Sequence, residues 1–371
     1  MATLSFSTEG SGAGLRLAFF GDSGTGNADQ KAVARQLRRF EKDLRHVFLL
    51  GDNVYWSGRS ERFEAAFHRI YRPIMRNLAA DGQPRTRFHA ALGNHDAKYC
   101  DLVRDQDDRL LPDREAYAWR EKGCDVEEQL DDATFGYPDG RRYYRVDLQA
   151  GGGANELLGE VFVIDTNTLP SETEPERHDF AQLEWLEKEL AASRSRAEAA
   201  GRHPWRIITM HRPLRTPQAK GYVFGKGGHG PELPLLNSLG TLLFGGEGER
   251  GADPTLHEEL DDTLERSGVD VVFAGHNHFY ARMTPEADRI RHFVSGGGGI
   301  AVYEPDRSSG DVEAGGGFHH FVTVILTPER FEYCVVDSLG RTRDHGSWSR
   351  SERDQADVPL DSERRRAVCR D

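Results

Sequence analysis

The sequence predicts an α/β (α+β) fold, a four-layer αββα sandwich of two mixed β-sheets flanked by helices. Two observations lead there. Short apolar runs alternate with amphipathic helical stretches, then give way to a mostly β ending. The polar residues that close the apolar runs are spread from Asp22 to His278, yet are of types that act together. They must converge on one site, which argues for one domain, residues 14–345, in a chain long enough for more.

The elements follow in order. Residues 1–13 are small and polar and predict a flexible lead. The first strand is 15–20 (LRLAFF), followed by GDSGTGN. Residues 30–44 read as a helix, with Val33, Leu37 and Phe40 at helical spacing. Residues 47–58, VFLLGDNVYWSG, are a buried strand running into an acidic turn. A second helix covers 63–78, with Phe67, Ile70 and Tyr71 on one face and Pro73 placed to kink it. Residues 87–92 (RFHAAL) lead into GNHD. The stretch 97–132 is charged and poorly periodic, either an excursion at the site mouth or a solvated insertion. Strands are expected at 141–148 and 160–165, and a helix at 180–192, where Leu183, Leu186 and Leu190 repeat at three and four. Residues 205–210 (WRIITM) deliver His211. The segment 212–253 is glycine-rich, broken by prolines, and long enough to be functional. A helix at 256–266 precedes the strand 269–274 that delivers His276. Strands at 292–294, 321–326 and 331–336 finish the fold, and the charged residues 346–371 predict a frayed tail. The glycine runs at 151, 296 and 315 lack Walker or Rossmann spacing and read as turns.

Composition excludes several classes. Lys plus Arg number 48 and Asp plus Glu 61, a net charge of −13. No nucleic-acid surface or anionic-membrane binding is expected from such a chain. No stretch has the roughly 20 apolar residues of a membrane span. The first residues lack the basic start and apolar core of a signal peptide, so a cytoplasmic protein is expected unless a leader has been trimmed. Cys100, Cys124, Cys334 and Cys369 form no C-x-x-C pair. Cys100 and Cys124 bracket the polar insertion and could be bridged; free thiols in a reducing cytoplasm is the favoured expectation.

The chemistry lies in the turns after the apolar runs. Asp22, Asp52, Tyr55, Asn94, His95, His211, His276 and His278 all sit there. Open α/β sheets place their sites at such strand ends. Carboxylate, phenolate, amide oxygen and imidazole, with no thiolate, suit a catalytic first-row metal rather than structural zinc. Seven plausible ligands, one aspartate able to bridge, suggest two cations about 3.5–4 Å apart.

The order GDSG, GDNVY, GNHD, HRP and GHNH resembles the calcineurin-like metallophosphoesterase superfamily. Most members carry D-x-H in the first motif; here Gly24 stands at that position and Tyr55 is present instead. That exchange resembles the purple acid phosphatases, in particular the small, tartrate-resistant-type branch. RRYYRVDL, VFVIDTNTL, QLEWLEKEL, HGP and HFVSGGGG extend the likeness over residues 14–340. The resemblance implies Fe(III) at Asp22, Tyr55 and His278, and a divalent iron, zinc or manganese at Asn94, His211 and His276, with Asp52 bridging. It implies that His95 faces the substrate and that His229 is a second substrate-side histidine. It implies hydrolysis of a small phosphorylated substrate, a monoester in the favoured reading and a diester or nucleotide pyrophosphate in the alternative. A non-catalytic binding scaffold would be marked by lost ligands, and none is lost.

Overall fold

The computed structural model describes residues 3–6, 14–78, 82, 84–107, 109–111, 113–119, 124–150, 156–169, 179–217, 260, 262–284, 290–308, 311–349 and 358–370. The apolar runs, most of them buried along their whole length, form two large sheets. The eight-stranded sheet runs β1 (Thr3–Phe6), β7 (Tyr144–Gln149), β8 (Leu157–Val163), β9 (Trp205–Met210), β10 (Val271–Ala274), β12 (Arg291–Ser295), β11 (Tyr280–Met283), β13 (Val312–Gly316). The six-stranded sheet runs β16 (Thr342–Ser349), β15 (Arg330–Asp337), β14 (His320–Leu326), β2 (Leu15–Phe20), β3 (Leu44–Leu49), β4 (Arg87–Ala90). Both are mixed. β2, β3 and β4 are mutually parallel, as are β8, β9, β10 and β12, while β14–β16 and β11 add antiparallel edges.

Strand periodicity assigns the faces. Phe273 stacks on Phe19 at 3.9 Å between ring centroids, and Phe19 on Phe48 at 5.1 Å, so these side chains join the two sheets. The alternate residues Ile208, Met210, Val272 and Ala274 point the other way and pack against Leu186 and Leu190 of α4 (Phe180–Ala200). On the outer side of the six-stranded sheet, α1 (Ala28–Leu37) and α5 (Ser362–Cys369) lie on β14 and β15. The expected αββα layering is therefore present.

Several boundaries differ from expectation. The helix at 30–44 begins earlier, capped by Asn27, whose Oδ1 accepts the Gln30 N–H at 2.9 Å. It stops at Leu37 in a 3₁₀ turn, Arg38–Phe40, because Leu44 is a core residue of β3. The helix at 63–78 is two pieces, a π turn Glu64–His68 and α2 (Arg69–Met75), preceded by a 3₁₀ turn Ser60–Arg62. Pro73 sits inside α2 and has no N–H to donate to the preceding turn. α4 runs to Ala200, past the leucine repeat, because the small residues Ser193 and Ala197 continue its buried stripe. The insertion at 97–132 is not structureless. It holds a ribbon of β5 (Cys100–Leu102) and β6 (Tyr117–Trp119), then α3 (Val126–Asp131), and is closed by a Cys100–Cys124 disulfide.

Both ends of the chain also correct the reading. Within the expected lead, Thr3–Phe6 pairs in parallel with β7. The expected frayed tail instead supplies α5, tied to β15 by Cys334–Cys369. Arg16, buried on β2, donates to the Val368 and Ala367 carbonyls, each at 2.8 Å, and so anchors α5 as well. All four cysteines are thus paired, against the free-thiol expectation. Separations of 24 and 35 residues carry no local pairing signal, so only the fold brings the sulfurs together. The helix expected at 256–266 is described only at 260 and 262–266, where it is helical; most of the 212–253 segment and the glycine run at 151 lie outside the described residues.

One buried pair makes stability pH-dependent. His46 Nδ1 and His89 Nε2 lie 2.9 Å apart in the core, so one ring must donate and the other accept. Burial pushes His46 down to about 3 and holds His89 well below the ordinary histidine range. The unfolded chain takes up these protons near 6.5 and the folded chain does not, so stability falls as the pH drops below 6.5. Between pH 6.5 and 5, above the carboxylate range, each histidine contributes a slope of up to about 1.4 kcal/mol per pH unit. Urea midpoints across that window should flatten in the His46→Gln/His89→Gln variant; an unchanged slope would refute the assignment.

Candidate metal centre

The parallel strands of both sheets end at the same place. β2 ends before Asp22, β3 before Asp52, β4 before Asn94, β9 at His211, and β10 before His276 and His278. Backbone hydrogen bonds stitch these turns together: Asp22 N donates to Gly51 O at 3.0 Å, and Gly275 N to His211 O at 3.0 Å. Asp22, Asp52 and His276 hold left-handed φ values of 59°, 53° and 68°. Such conformations in side-chain-bearing residues cost about 1–3 kcal/mol and cluster at functional sites.

The polar atoms fall into two groups that share Asp52. On one side, the Tyr55 hydroxyl donates to Asp52 Oδ2 at 2.7 Å and lies 3.1 Å from Asp22 Oδ1. His278 Nε2 stands 3.4 Å from that hydroxyl and 3.5 Å from Asp22 Oδ1. On the other side, His211 Nε2 is 2.9 Å from Asn94 Oδ1 and 3.4 Å from Asp52 Oδ1. His276 Nδ1 is 3.0 Å from Asn94 Oδ1 and 3.3 Å from His211 Nε2. The two Asp52 oxygens thus face opposite groups. Asp22, Asp52 and His211 each offer a ligand atom within 4.8 Å of the others.

Backbone acceptors set the tautomers. His211 Nδ1 donates to Leu50 O at 2.8 Å and His278 Nδ1 to Ala301 O at 3.1 Å, which leaves both Nε2 lone pairs facing the centre. Burial, against the Asp52 charge, holds His211 below the ordinary histidine range, so it is neutral. Asn94 Oδ1, His211 Nε2 and His276 Nδ1 therefore converge, the first two as acceptors. Beside them are two carboxylates that are 0% and 1% exposed. Buried anions and facing lone pairs need positive charge between them. The donor set fits hard or borderline divalent and trivalent cations. Burial first, then the charges of Asp52 and Asp22, holds the Tyr55 phenol well above its ordinary range, so with those carboxylates alone it keeps its proton.

Packing explains the Tyr55 exchange. A β-carbon on Gly24 would sit 2.1 Å from Asn53 O, so no side chain fits there with this backbone. Gly24 O accepts the Tyr55 N–H at 2.7 Å, and the phenol fills the space beside Asp22. Gly93 is equally constrained: its β-carbon would lie 2.1 Å from Asp52 N.

His95 flanks the centre without joining either group. Its N–H donates to Asp52 Oδ1 at 2.8 Å, and its Nδ1 lies 2.8 Å from Trp56 O, to which it donates. His229 lies outside the described residues.

Sequence reasoning missed Asp96, the fourth residue of GNHD. It is 1% exposed, and five donors reach it: Gly93 N at 2.8 Å, Asn53 N, Asn53 Nδ2 and Val54 N at 3.1 Å, and Gln129 Nε2 at 3.2 Å. Asp96 therefore fastens the GDNVY turn to the GNHD turn, and Gln129 of α3 ties the insertion to both. Burial, then the Asp52 charge, raises Asp96 to about 7. An aspartate adjoining a histidine in a turn was the available signal.

Residues 15–280 match the family model of the calcineurin-like phosphoesterases. The chain belongs to that family. Among curated proteins, this family member is similar to purple acid phosphatase 17 of Arabidopsis thaliana, 26% identical over an alignment of 304 positions that covers 74% of the chain. The chain spans 65% of the length of that relative. Its fold is similar to a purple acid phosphatase from yellow lupin (Lupinus luteus) seeds, at a TM-score of 0.58 and 19% identity, covering 94% of this chain and 56% of that one. It is also similar to GAP50, the anchor in the inner membrane complex of Plasmodium, at a TM-score of 0.56 and 14% identity, covering 91% and 89%. The expected superfamily and fold class are those the chain has.

Proposed function

We propose that the chain is a metal-dependent phosphoric ester hydrolase that cleaves small phosphate monoesters at a binuclear centre. The carrying observation is the division of the buried donors into two groups, with one Asp52 oxygen turned to each. Asp22, Tyr55 and His278 with Asp52 Oδ2 would hold Fe(III), for which phenolate and carboxylates are hard donors. Asn94, His211 and His276 with Asp52 Oδ1 would hold a divalent iron, zinc or manganese ion. When bound, such a pair supplies Lewis acidity at the phosphoryl group and acidifies a water. The chain's own residues do the rest. Tyr55 would serve as a phenolate in the Fe(III) set, its proton released to solvent. His95, oriented through the Trp56 carbonyl, holds a proton on Nε2 toward the leaving oxygen. The two disulfides support action in an oxidising compartment in place of the cytoplasm.

The test is metal content, visible spectrum and ester hydrolysis of the purified protein. Two metals per chain, one of them iron, a purple tyrosinate–Fe(III) band and turnover of an aryl monoester are expected. Tyr55→Phe should lose the band while retaining the fold by circular dichroism. A metal-free protein that stays inert after iron reconstitution overturns the reading. Faster turnover of a diester than of its monoester would replace the substrate class.

A further inference from the structure

The centre lies deep, but one large apolar side chain at its edge is in water. Trp56 is 49% exposed, whereas Tyr55 beside it is 1% exposed. The other exposed large hydrophobic residues among those described are Leu78, Phe180, Leu339 and Val358, and none lies in a turn that carries the candidate ligands. A single exposed side chain is ordinary on a protein surface; what sets Trp56 apart is its place beside the candidate ligands.

Its position relative to His95 supplies one. The Trp56 carbonyl accepts the His95 Nδ1–H at 2.8 Å, so the backbone that orients the proton donor also carries the indole. The Trp56 ring stands 6.3 Å from the His95 ring at 67°, and 5.5 Å from the Tyr55 ring at 67°. The Tyr55 and His95 rings are 4.6 Å apart. The three rings form a compact cluster at the edge of the centre, in which Tyr55 is buried and Trp56 is exposed. In the proposed reaction His95 protonates the leaving oxygen, so that oxygen lies beside the His95 ring. Whatever is bonded to that oxygen then lies on the side of Trp56.

From this placement we infer that Trp56 is a specificity-determining residue that favours esters whose leaving oxygen is bonded directly to a flat aromatic ring. The inference rests on the proposed phosphomonoesterase activity. The indole offers a π-face to a ring held one bond from the oxygen that His95 protonates. An aliphatic leaving group gains only apolar contact there. A nucleotide, whose base is separated from the ester oxygen by a sugar, gains less than a phenolic ester. Loss of stacking between a flat ring and an aromatic side chain is read as roughly a tenfold change in selectivity.

The experiment measures kcat/KM for phenyl phosphate, glycerol 2-phosphate and AMP with the metal-loaded wild type and with Trp56→Ala, Trp56→Leu and Trp56→Phe. Intrinsic leaving-group reactivity cancels in the ratio between enzymes. The phenyl-to-glycerol selectivity should fall about tenfold in the Ala and Leu variants, mainly through KM, and largely survive in the Phe variant. The AMP-to-glycerol ratio should change less than the phenyl ratio. A phenyl-to-glycerol ratio unchanged within about twofold in both truncations overturns the assignment. So does a Phe variant as impaired as Leu, or an equal loss on all three esters, which would mean that Trp56 acts only through His95. A larger fall for AMP than for phenyl phosphate overturns the choice of phenolic esters. If the wild type hydrolyses none of the three, the proposed activity itself fails.

Discussion

Asp52→Ala will strip metal from both halves of the centre at once. The two oxygens of this carboxylate face different donor groups: Oδ2 lies 2.7 Å from the Tyr55 hydroxyl and Oδ1 3.4 Å from His211 Nε2. A ligand that served one ion would cost one ion when removed. A shared ligand costs both, and it also leaves the His95 N–H without its acceptor. Loss of metal-based charge stabilisation amounts to several kcal/mol, so turnover of an aryl monoester should drop by at least about 10³-fold. Elemental analysis of the purified variant checks the first claim and steady-state kinetics the second. Retention of either ion at wild-type stoichiometry would show that Asp52 does not bridge. The fold should persist, because the two sheets are joined through Phe19, Phe48 and Phe273, away from this residue's side chain.

Asp96→Ala has the second large effect, and it is structural before it is catalytic. The substitution leaves the buried N–H groups of Gly93, Asn53 and Val54 without their acceptor. Each orphaned buried donor costs about 1–3 kcal/mol, which sums to roughly 3–5 kcal/mol if the turns relax in part. A fall of that size in urea-derived stability is expected, together with weaker metal retention as the GDNVY and GNHD turns part. Loss of a group that positions the turns carrying metal ligands lowers metal affinity about 10–100-fold. Asp96→Asn keeps one acceptor oxygen and should recover part of both losses. If Asp96→Ala binds metal and unfolds as the wild type does, the turns are held by other contacts.

The residues that later meet at the centre were legible because each follows an apolar run that could only be a buried strand. The type of residue and its place after a strand were enough to gather Asp22, Asp52, Tyr55, Asn94, His211, His276 and His278, and the structure brings all seven together. Asp96 was not legible in that way. Its role is to accept hydrogen bonds from backbone N–H groups of another turn, and nothing in a linear sequence records which N–H groups lack partners. The same reason hid the C-terminal order. Residues 346–371 have the composition of a solvated tail, and α5 is fixed by a disulfide to β15 and by the buried Arg16, contacts that only a finished fold provides. The break in the helix expected at 63–78 came from a π turn, which apolar spacing at three and four cannot distinguish from a straight helix.

The distance along the chain between the donors has a consequence for how the protein matures. Asp22 Oδ2 accepts the His276 N–H across 254 residues of sequence. No nascent segment can assemble either half of the centre before β10 has been synthesised and docked. Topologies dominated by such distant contacts fold slowly, because the chain entropy of closure is spent before the contact stabilises anything. Metal capture is therefore a late event in the biogenesis of this protein. Any ion held by these residues meets its complete donor set only once β10 has docked.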